Sequence, residues 1–220
     1  MCGRYTLTTP ADELAAEIGA EVPAGYQPRF NIAPQQPVLV LGLDASGRRR
    51  LAFLRWGLVP WWATPEDARS GPINARAESV ATRPAFRDAF RNRRCLIVAD
   101  GFYEWKREGR TRIPFRFRLP GGGLLTFAGL WERWDGAGEP LYTCAIVTTA
   151  ASADIAPIHD RMPAILDPRV RERWIDPGAD AGSLLALLGA GAGPARLEAC
   201  EVSRLVNNVA NDSPECIRPA

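Results

Sequence analysis

Short apolar and alternating runs, each bounded by glycine, proline or aspartate, occupy the middle of the chain. Runs of this length and composition favour β-strands over helices. The predicted strands are Val38–Leu41, Leu51–Trp56, Cys95–Ala99, Phe102–Trp105, Pro114–Leu119, Leu125–Leu130 and Tyr142–Thr148. Helical spacing of apolar residues predicts helices at 10–18, Pro84–Phe90, Pro168–Trp174 and Ser183–Leu188. We therefore predict an α+β fold with a strand-rich, barrel-like core and flanking helices.

The chain has the size of one large domain. Its 220 residues are 46% hydrophobic, show no internal repeat and contain no long linker-like stretch, so we predict a single domain over residues 1–220. Gly121–Gly123 predicts a hairpin turn and Gly189–Pro194 a surface loop. No signal peptide and no run of 18 apolar residues is visible. A cytoplasmic protein without a membrane segment is expected.

The charge is balanced overall but unevenly placed. A total of 27 basic and 25 acidic residues gives a net charge of +2, which excludes a histone-like polycation. The segment from Arg83 to Arg118 contains eleven basic and four acidic residues, a net charge of +7. Aromatic residues are interleaved among these charges. Such a segment suits a surface for single-stranded nucleic acid, where arginines bind phosphates and rings stack on bases. A strand-rich core with arginine on its polar faces fits equally well.

Cysteine and histidine usage excludes several site classes. The five cysteines are scattered and form no C-x-x-C pair, which argues against a disulfide framework and a zinc ribbon. His159 is the single histidine, so a multi-histidine metal site cannot be built. We expect no metal and no organic cofactor.

The chain begins Met1-Cys2, and removal of Met1 would leave Cys2 with an amine and a thiol on adjacent carbons. An α-amine, with a pKa of about 8, is far more neutral near pH 7 than a lysine and can form a Schiff base with an aldehyde. The thiol can then close on the same carbon to give a thiazolidine. The alternative is that Cys2 belongs to a frayed terminus without function.

Other polar residues are candidates on local grounds. Glu104 shares a face with Phe102 in an extended segment, so it is either paired with an arginine or has its proton affinity raised by burial. His159 lies in a predicted loop, where catalytic residues are common, although a lone histidine is more often structural. Asn74 and Arg76 fall on one side of an extended segment and could hold sugar and phosphate oxygens.

Eight segments in sequence order resemble the SRAP family, the SOS response-associated peptidase or abasic-site processing proteins. They are Met1–Tyr5, Phe30–Pro34, Arg55–Pro60, Asn74–Glu78, Arg94–Ile97, Asp100–Trp105, His159–Pro163 and Val206–Asn208 with Asn211–Asp212. They extend from the first residues almost to the C-terminus. One such block would be unspecific, whereas eight in order are highly specific.

The resemblance implies a protein that binds single-stranded DNA carrying an abasic site and captures the sugar aldehyde through Cys2. It implies that Asn74 orients the ring-opened sugar, that Glu104 is the acid/base, and that His159 assists ring opening, Schiff-base chemistry and crosslink reversal. It also implies removal of Met1 by the protein itself and lyase activity through the imine. The implied DNA-binding residues are Arg4, Pro34, Trp56 or its neighbours, Arg76, Trp105 and Arg161.

Two other functions stay open at this point. Glutamine amidotransferases also begin Met-Cys-Gly and use the freed cysteine on an amide, although no companion synthetase domain is visible. A non-catalytic single-strand binding module would need only the basic aromatic segment. We expect a monomer with no obligatory protein partner, nucleoid-associated when bound to DNA.

Overall fold

The structure is a computed structural model that describes residues 2–136, 138–189 and 196–220. Helices α1 to α4 in these ranges are Ala11–Ile18, Arg87–Asn92, Arg171–Ile175 and Ala181–Leu187. Strands β1 to β12 are Tyr5–Leu7, Arg29–Ile32, Pro37–Leu43, Arg49–Trp56, Asn74–Arg76, Arg94–Ala99, Gly101–Glu108, Thr111–Arg118, Leu125–Trp134, Leu141–Ala150, Arg161–Pro163 and Glu198–Glu201. None of the helices within the described ranges is long and apolar enough to cross a membrane.

Five strands close into a barrel. Their order is β10-β4-β3-β6-β9, and β9 pairs again with β10, which completes the ring. The β4–β10 pair is parallel and the other four pairs are antiparallel. Closure leaves these strands without a free edge over their paired length. The predicted barrel-like core in an α+β fold is confirmed.

A second, five-stranded sheet packs against the barrel in the order β12-β8-β7-β1-β2. The contact between the two layers is aromatic. Tyr5 of β1 packs edge-on against Trp56 and Phe127 of the barrel, with ring centroids 5.4 and 5.9 Å apart. Phe102 of β7 also meets Phe127 edge-on at 6.0 Å. All four rings are fully buried, so they fix the second sheet on the barrel.

The seven predicted strands are confirmed as β3, β4 and β6 to β10. The four predicted helices also form, but α2 begins at Arg87 and α3 at Arg171, because the residues from Pro84 and from Pro168 make turns first. The sequence prediction missed β1, β2, β5, β11 and β12, which are three or four residues long. An alternation needs more residues than these to be recognised.

The two glycine-rich predictions have different outcomes. Gly121–Gly123 does not make a hairpin, because β8 and β9 on either side of it belong to different sheets. All three glycines have positive φ, between 76° and 98°, and this backbone carries the chain from one sheet to the other. The predicted loop Gly189–Pro194 lies, after Gly189, outside the described residues.

The strands that carry the candidate residues Asn74, Arg76 and Arg161 meet at the C-terminal end of β10. In β5, Asn74 pairs with Ile146 and Arg76 with Thr148, while β11 pairs Pro163 with the same Thr148 from the other edge. The second sheet reaches this end through β1 and β7. Because β1 and β7 run antiparallel with Tyr5 opposite Phe102, the chain start before Tyr5 runs towards Glu104.

Candidate functional site

Cys2 lies inside the protein. It is fully buried, and its Sγ lies 3.9 Å from the Arg4 carbonyl. Burial raises the pKa of the Cys2 thiol, and the nearby charge of Glu104 raises it further. The thiol is therefore protonated at neutral pH and needs a base or a change of surroundings before it can act as a nucleophile.

Asn74 holds the backbone of Cys2. Its Nδ2 donates a hydrogen bond of 2.9 Å to the Cys2 carbonyl. Its Oδ1 is buried and accepts no hydrogen bond from any described residue. An unpaired buried acceptor costs free energy, so this oxygen is suited to accept a hydrogen bond from a ligand hydroxyl.

Glu104 and His159 face each other beside Cys2. Glu104 is 3% exposed, and its Oε2 lies 3.8 Å from Nε2 of His159. Burial raises the pKa of Glu104, and the His159 charge opposes part of this rise. Of the two interpretations of Glu104 from the sequence, the structure favours a carboxyl group with raised proton affinity.

The backbone of Arg161 fixes the imidazole. Its N–H donates a 2.9 Å hydrogen bond to Nδ1 of His159. The Arg161 carbonyl and the Asp160 carboxylate lie 3.2 and 3.1 Å from the same Nδ1, and Nε2 is the ring nitrogen that faces Glu104. His159 lies in the loop between β10 and β11, as predicted.

Four candidates that are far apart in sequence thus come together. Asn74 contacts Cys2, the Glu104 carboxylate acts electrostatically on the Cys2 thiol, and His159 lies against Glu104. The group combines a thiol, an amide, a carboxyl group with raised pKa and an imidazole. Such a set can orient a carbonyl substrate and move protons for nucleophilic addition. In the described ranges, no group of three or more His, Cys, Asp or Glu is placed to hold a metal ion.

Arg4 and Trp105 form a second cluster near the chain start. Nη1 of Arg4 donates to Asn31 Oδ1 at 2.6 Å and to the Val206 carbonyl at 2.8 Å. The guanidinium stands 5.6 Å from the centre of the Trp105 ring. The indole Nε1 in turn donates to Asn207 Oδ1 at 2.7 Å. Both side chains are only partly buried, so they can also contact a ligand.

Trp56 cannot stack on a base. It is fully buried, donates its Nε1 to the Ile73 carbonyl at 2.9 Å, and packs against Tyr5. Its prediction as a DNA-binding residue is wrong, because the indole is part of the contact between barrel and second sheet. Its neighbours Trp61 and Trp62 are 61% and 52% exposed and have the accessibility that stacking requires.

The remaining DNA-binding candidates differ in accessibility. Arg76 is exposed at the end of β5, and Pro34 is half-buried in the turn after β2. Arg161 is mostly buried; both of its terminal nitrogens bind Glu78, and Nη2 also donates to the Thr148 carbonyl at 2.7 Å. An anion would have to compete with Glu78 for Arg161, whereas Arg76 is accessible from solvent.

Asn31 and Asp212 are two functional residues that the sequence analysis did not single out. Asn31 is buried and donates to the carbonyls of Val206, Asn208 and Asn211, while Asp212 accepts from the backbone N–H groups of Phe30 and Asn31. These contacts fasten the C-terminal segment beside Arg4. The residues occur in two of the family-like segments, but no local pattern relates Asn31 to carbonyls about 180 positions later.

Comparison with known proteins identifies the family of this chain. The family model described as SOS response associated peptidase (SRAP) matches residues 1–209. The abasic site processing proteins YoqW and YoaM of Bacillus subtilis are each 42% identical over 222 residues; these alignments cover 99% of this chain and 99% and 97% of the two relatives. A crystal structure of a Bacteroides thetaiotaomicron protein has a TM-score of 0.87 at 23% identity, with both chains fully covered, and so has the same fold. This chain belongs to the SOS response associated peptidase (SRAP) family.

Proposed function

We propose that this protein processes abasic sites by capturing them covalently through Cys2 in single-stranded DNA, after Met1 is removed by its own peptidase activity. The observation that carries the proposal is the grouping of Asn74 and Glu104 around the buried Cys2, with His159 against Glu104. The relatives named as abasic site processing proteins support the choice of substrate.

The chemistry requires an aldehyde, an amine and a thiol. The abasic deoxyribose opens to an aldehyde, and the freed Cys2 amine adds to its carbon and expels water to give an imine. The Cys2 thiol then adds to the imine carbon: the sulfur–carbon bond forms, the π electrons move to nitrogen, and the thiol proton is transferred to that nitrogen. The product is a five-membered thiazolidine, formed with loss of one water molecule overall.

The neighbouring residues supply the proton transfers. Glu104, whose pKa is raised by burial, donates a proton to the departing hydroxyl group when the imine forms. His159, whose Nε2 lies against Glu104, assists opening of the sugar ring and reversal of the crosslink by exchanging protons with the same position. Asn74 orients the ring-opened sugar, whose hydroxyl group can donate to the buried Oδ1.

Two further activities use the same group. Hydrolysis of the Met1–Cys2 peptide bond releases the Cys2 amine and gives the peptidase activity. The imine allows elimination of the 3′ phosphate from the sugar, which gives the lyase activity, before the thiol closes the ring. Arg4, Arg76 and Arg161 would hold phosphates, while Pro34 and Trp105, with Trp61 or Trp62 in place of Trp56, would shape the DNA path.

Intact mass spectrometry followed by denaturing electrophoresis tests the proposal. We expect loss of Met1 from the purified protein, then a covalent band with an abasic single-stranded oligonucleotide. Cys2→Ala should remove the stable band, a loss of at least about 100-fold, because the ring-closing nucleophile is gone. Once Met1 is removed, both Cys2→Ala and Cys2→Ser keep the α-amine, so each should give only an imine adduct that needs borohydride to persist.

Cys200→Ala is the matched control, because Cys200 is a partly exposed cysteine on the edge strand β12. It should crosslink at the wild-type rate. A stable band in Cys2→Ala at wild-type intensity would refute thiazolidine capture. Release of ammonia from glutamine that depends on Cys2, without any DNA adduct, would favour the amidohydrolase instead.

A further inference from the structure

The β7–β8 hairpin presents two arginines directly opposite each other. The register pairs Arg107 of β7 with Arg112 of β8 and Trp105 with Pro114. Opposed residues in an antiparallel pair point to the same face, as do residues two apart on one strand. Arg107 and Arg112 therefore share the face of Trp105, and both are exposed.

Neither of these guanidinium groups has an acidic partner among the described residues. The neighbouring cations differ. Lys106, on the other face, pairs with Glu108 at 2.7 Å, and Arg118, farther along β8, pairs with Glu198 at 3.3 Å. Like charges directly opposite destabilise a strand pair. The hairpin therefore carries a repulsion that an anion bound between the two arginines would relieve.

Arg112 also lines a groove on this face of the hairpin, and Arg107 lies directly opposite Arg112. The groove has a volume of about 350 Å³ and is lined by Arg4, Trp105, Arg112 and Asn207. Arg4 over one face of the indole and Asn207 at its Nε1 fix the orientation of Trp105. A strand rise of about 3.3 Å per residue puts Arg107 roughly 10 Å along β7 from Glu104, whose own side chain points to the opposite face of the strand.

We infer that Arg107 and Arg112 hold a phosphodiester of the bound single-stranded DNA beside Trp105. Guanidinium groups bind phosphate oxygens in a bidentate way, and two of them can share one phosphate. This inference rests on the proposed function, since it assigns a flanking nucleotide of the same DNA to the hairpin. It adds a binding element on the Trp105 face of the β7–β8 hairpin, opposite to the face of the Glu104 side chain.

Non-covalent binding of a fluorescent oligonucleotide without an abasic site, measured against salt concentration, tests the inference. In Arg107→Ala/Arg112→Ala we expect roughly tenfold weaker binding at about 0.1 M salt. The slope of log K against log salt should fall by about 0.7, the contribution of one phosphate of a single strand. The melting temperature should not fall, because the substitution removes a repulsion.

Arg118→Ala is the matched control: it removes an exposed arginine from the same strand, but one that is paired with Glu198. It should keep the wild-type affinity and salt slope. An unchanged slope in the double variant overturns the inference, even if the affinity falls, because a structural defect does not change the number of counterions released. Crosslinking by the wild type is scored separately. Its failure would reject the proposed function, while a changed slope would still assign a phosphate to the hairpin.

Discussion

Asp100 and Glu104 are both buried and lie four residues apart in the sequence, but their carboxyl groups have different surroundings. Asp100, at the turn into β7, accepts hydrogen bonds from the hydroxyl groups of Thr6, Thr8 and Thr9 and pairs with Arg116 at 3.0 Å. Glu104, in the middle of β7, lies 3.8 Å from His159, and burial raises its pKa. Their exposures, 7% and 3%, are almost equal.

The comparison shows that burial alone does not identify a reactive carboxyl group. The donors around Asp100 satisfy its carboxylate oxygens and tie the chain start to β7 and β8. The surroundings of Glu104 instead favour the protonated form, which is the form that a general acid needs. The first region gives stability and the second, we propose, gives chemistry.

The largest effect is expected from removing the structural carboxylate. Asp100→Ala leaves the mostly buried Arg116 without its partner and several donors unsatisfied. Breaking a buried pair in this way costs about 3–5 kcal/mol. For a chain of this size that corresponds to a fall in melting temperature of roughly 10 °C, which calorimetry can measure.

Glu198→Ala breaks the exposed pair with Arg118 and is the control for this prediction. It should cost less than about 1 kcal/mol. A loss of stability in Asp100→Ala as small as that in the control would mean that the hydrogen bonds around Asp100 do not hold the chain start to β7.

The second prediction exchanges each carboxyl group for its amide. Glu104→Gln removes the acid/base and should slow crosslink formation by about 100-fold or more, with no loss of melting temperature. Asp100→Asn should lower the melting temperature, while its folded fraction crosslinks at nearly the wild-type rate. Single-turnover gel assays on both variants check this. Wild-type kinetics in Glu104→Gln would remove Glu104 from the reaction.

The sequence predicted the long strands well because each alternates over enough residues to be recognised. It could not predict that β9 pairs with both β6 and β10, because barrel closure depends on contacts between distant strands. It also missed β5 and β11, whose three residues each carry Asn74 and Arg161. Their extended conformation comes from pairing with β10 rather than from local preference.

The candidate site was predicted mainly by resemblance. Local patterns marked Cys2, Glu104 and His159 as possible reactive residues but could not bring them together. The tryptophans show the limit most clearly: Trp56 is buried, while Trp61 and Trp62, five and six residues later, are exposed. Trp56 is buried because the second sheet covers it. No local pattern in the sequence predicts which tryptophan that sheet will cover.

The smallest expected effect is a pH dependence of stability that belongs to Glu104. Because burial raises its pKa, the folded protein binds this proton more tightly than the unfolded chain does. The resulting stabilisation is fully present below the ordinary pKa of 4.5 and is lost as the pH rises through the raised value.

Glu104→Gln cannot ionise and should escape this loss. The melting temperature of the variant minus that of the wild type should therefore be lowest below about pH 4.5, increase as the pH rises, and level off once Glu104 is ionised in the folded wild type. Thermal melts of both proteins in matched buffers measure this difference. A difference that stays constant with pH would mean that the protein stabilises ionised Glu104 as well as water does, and the contrast with Asp100 would then be lost.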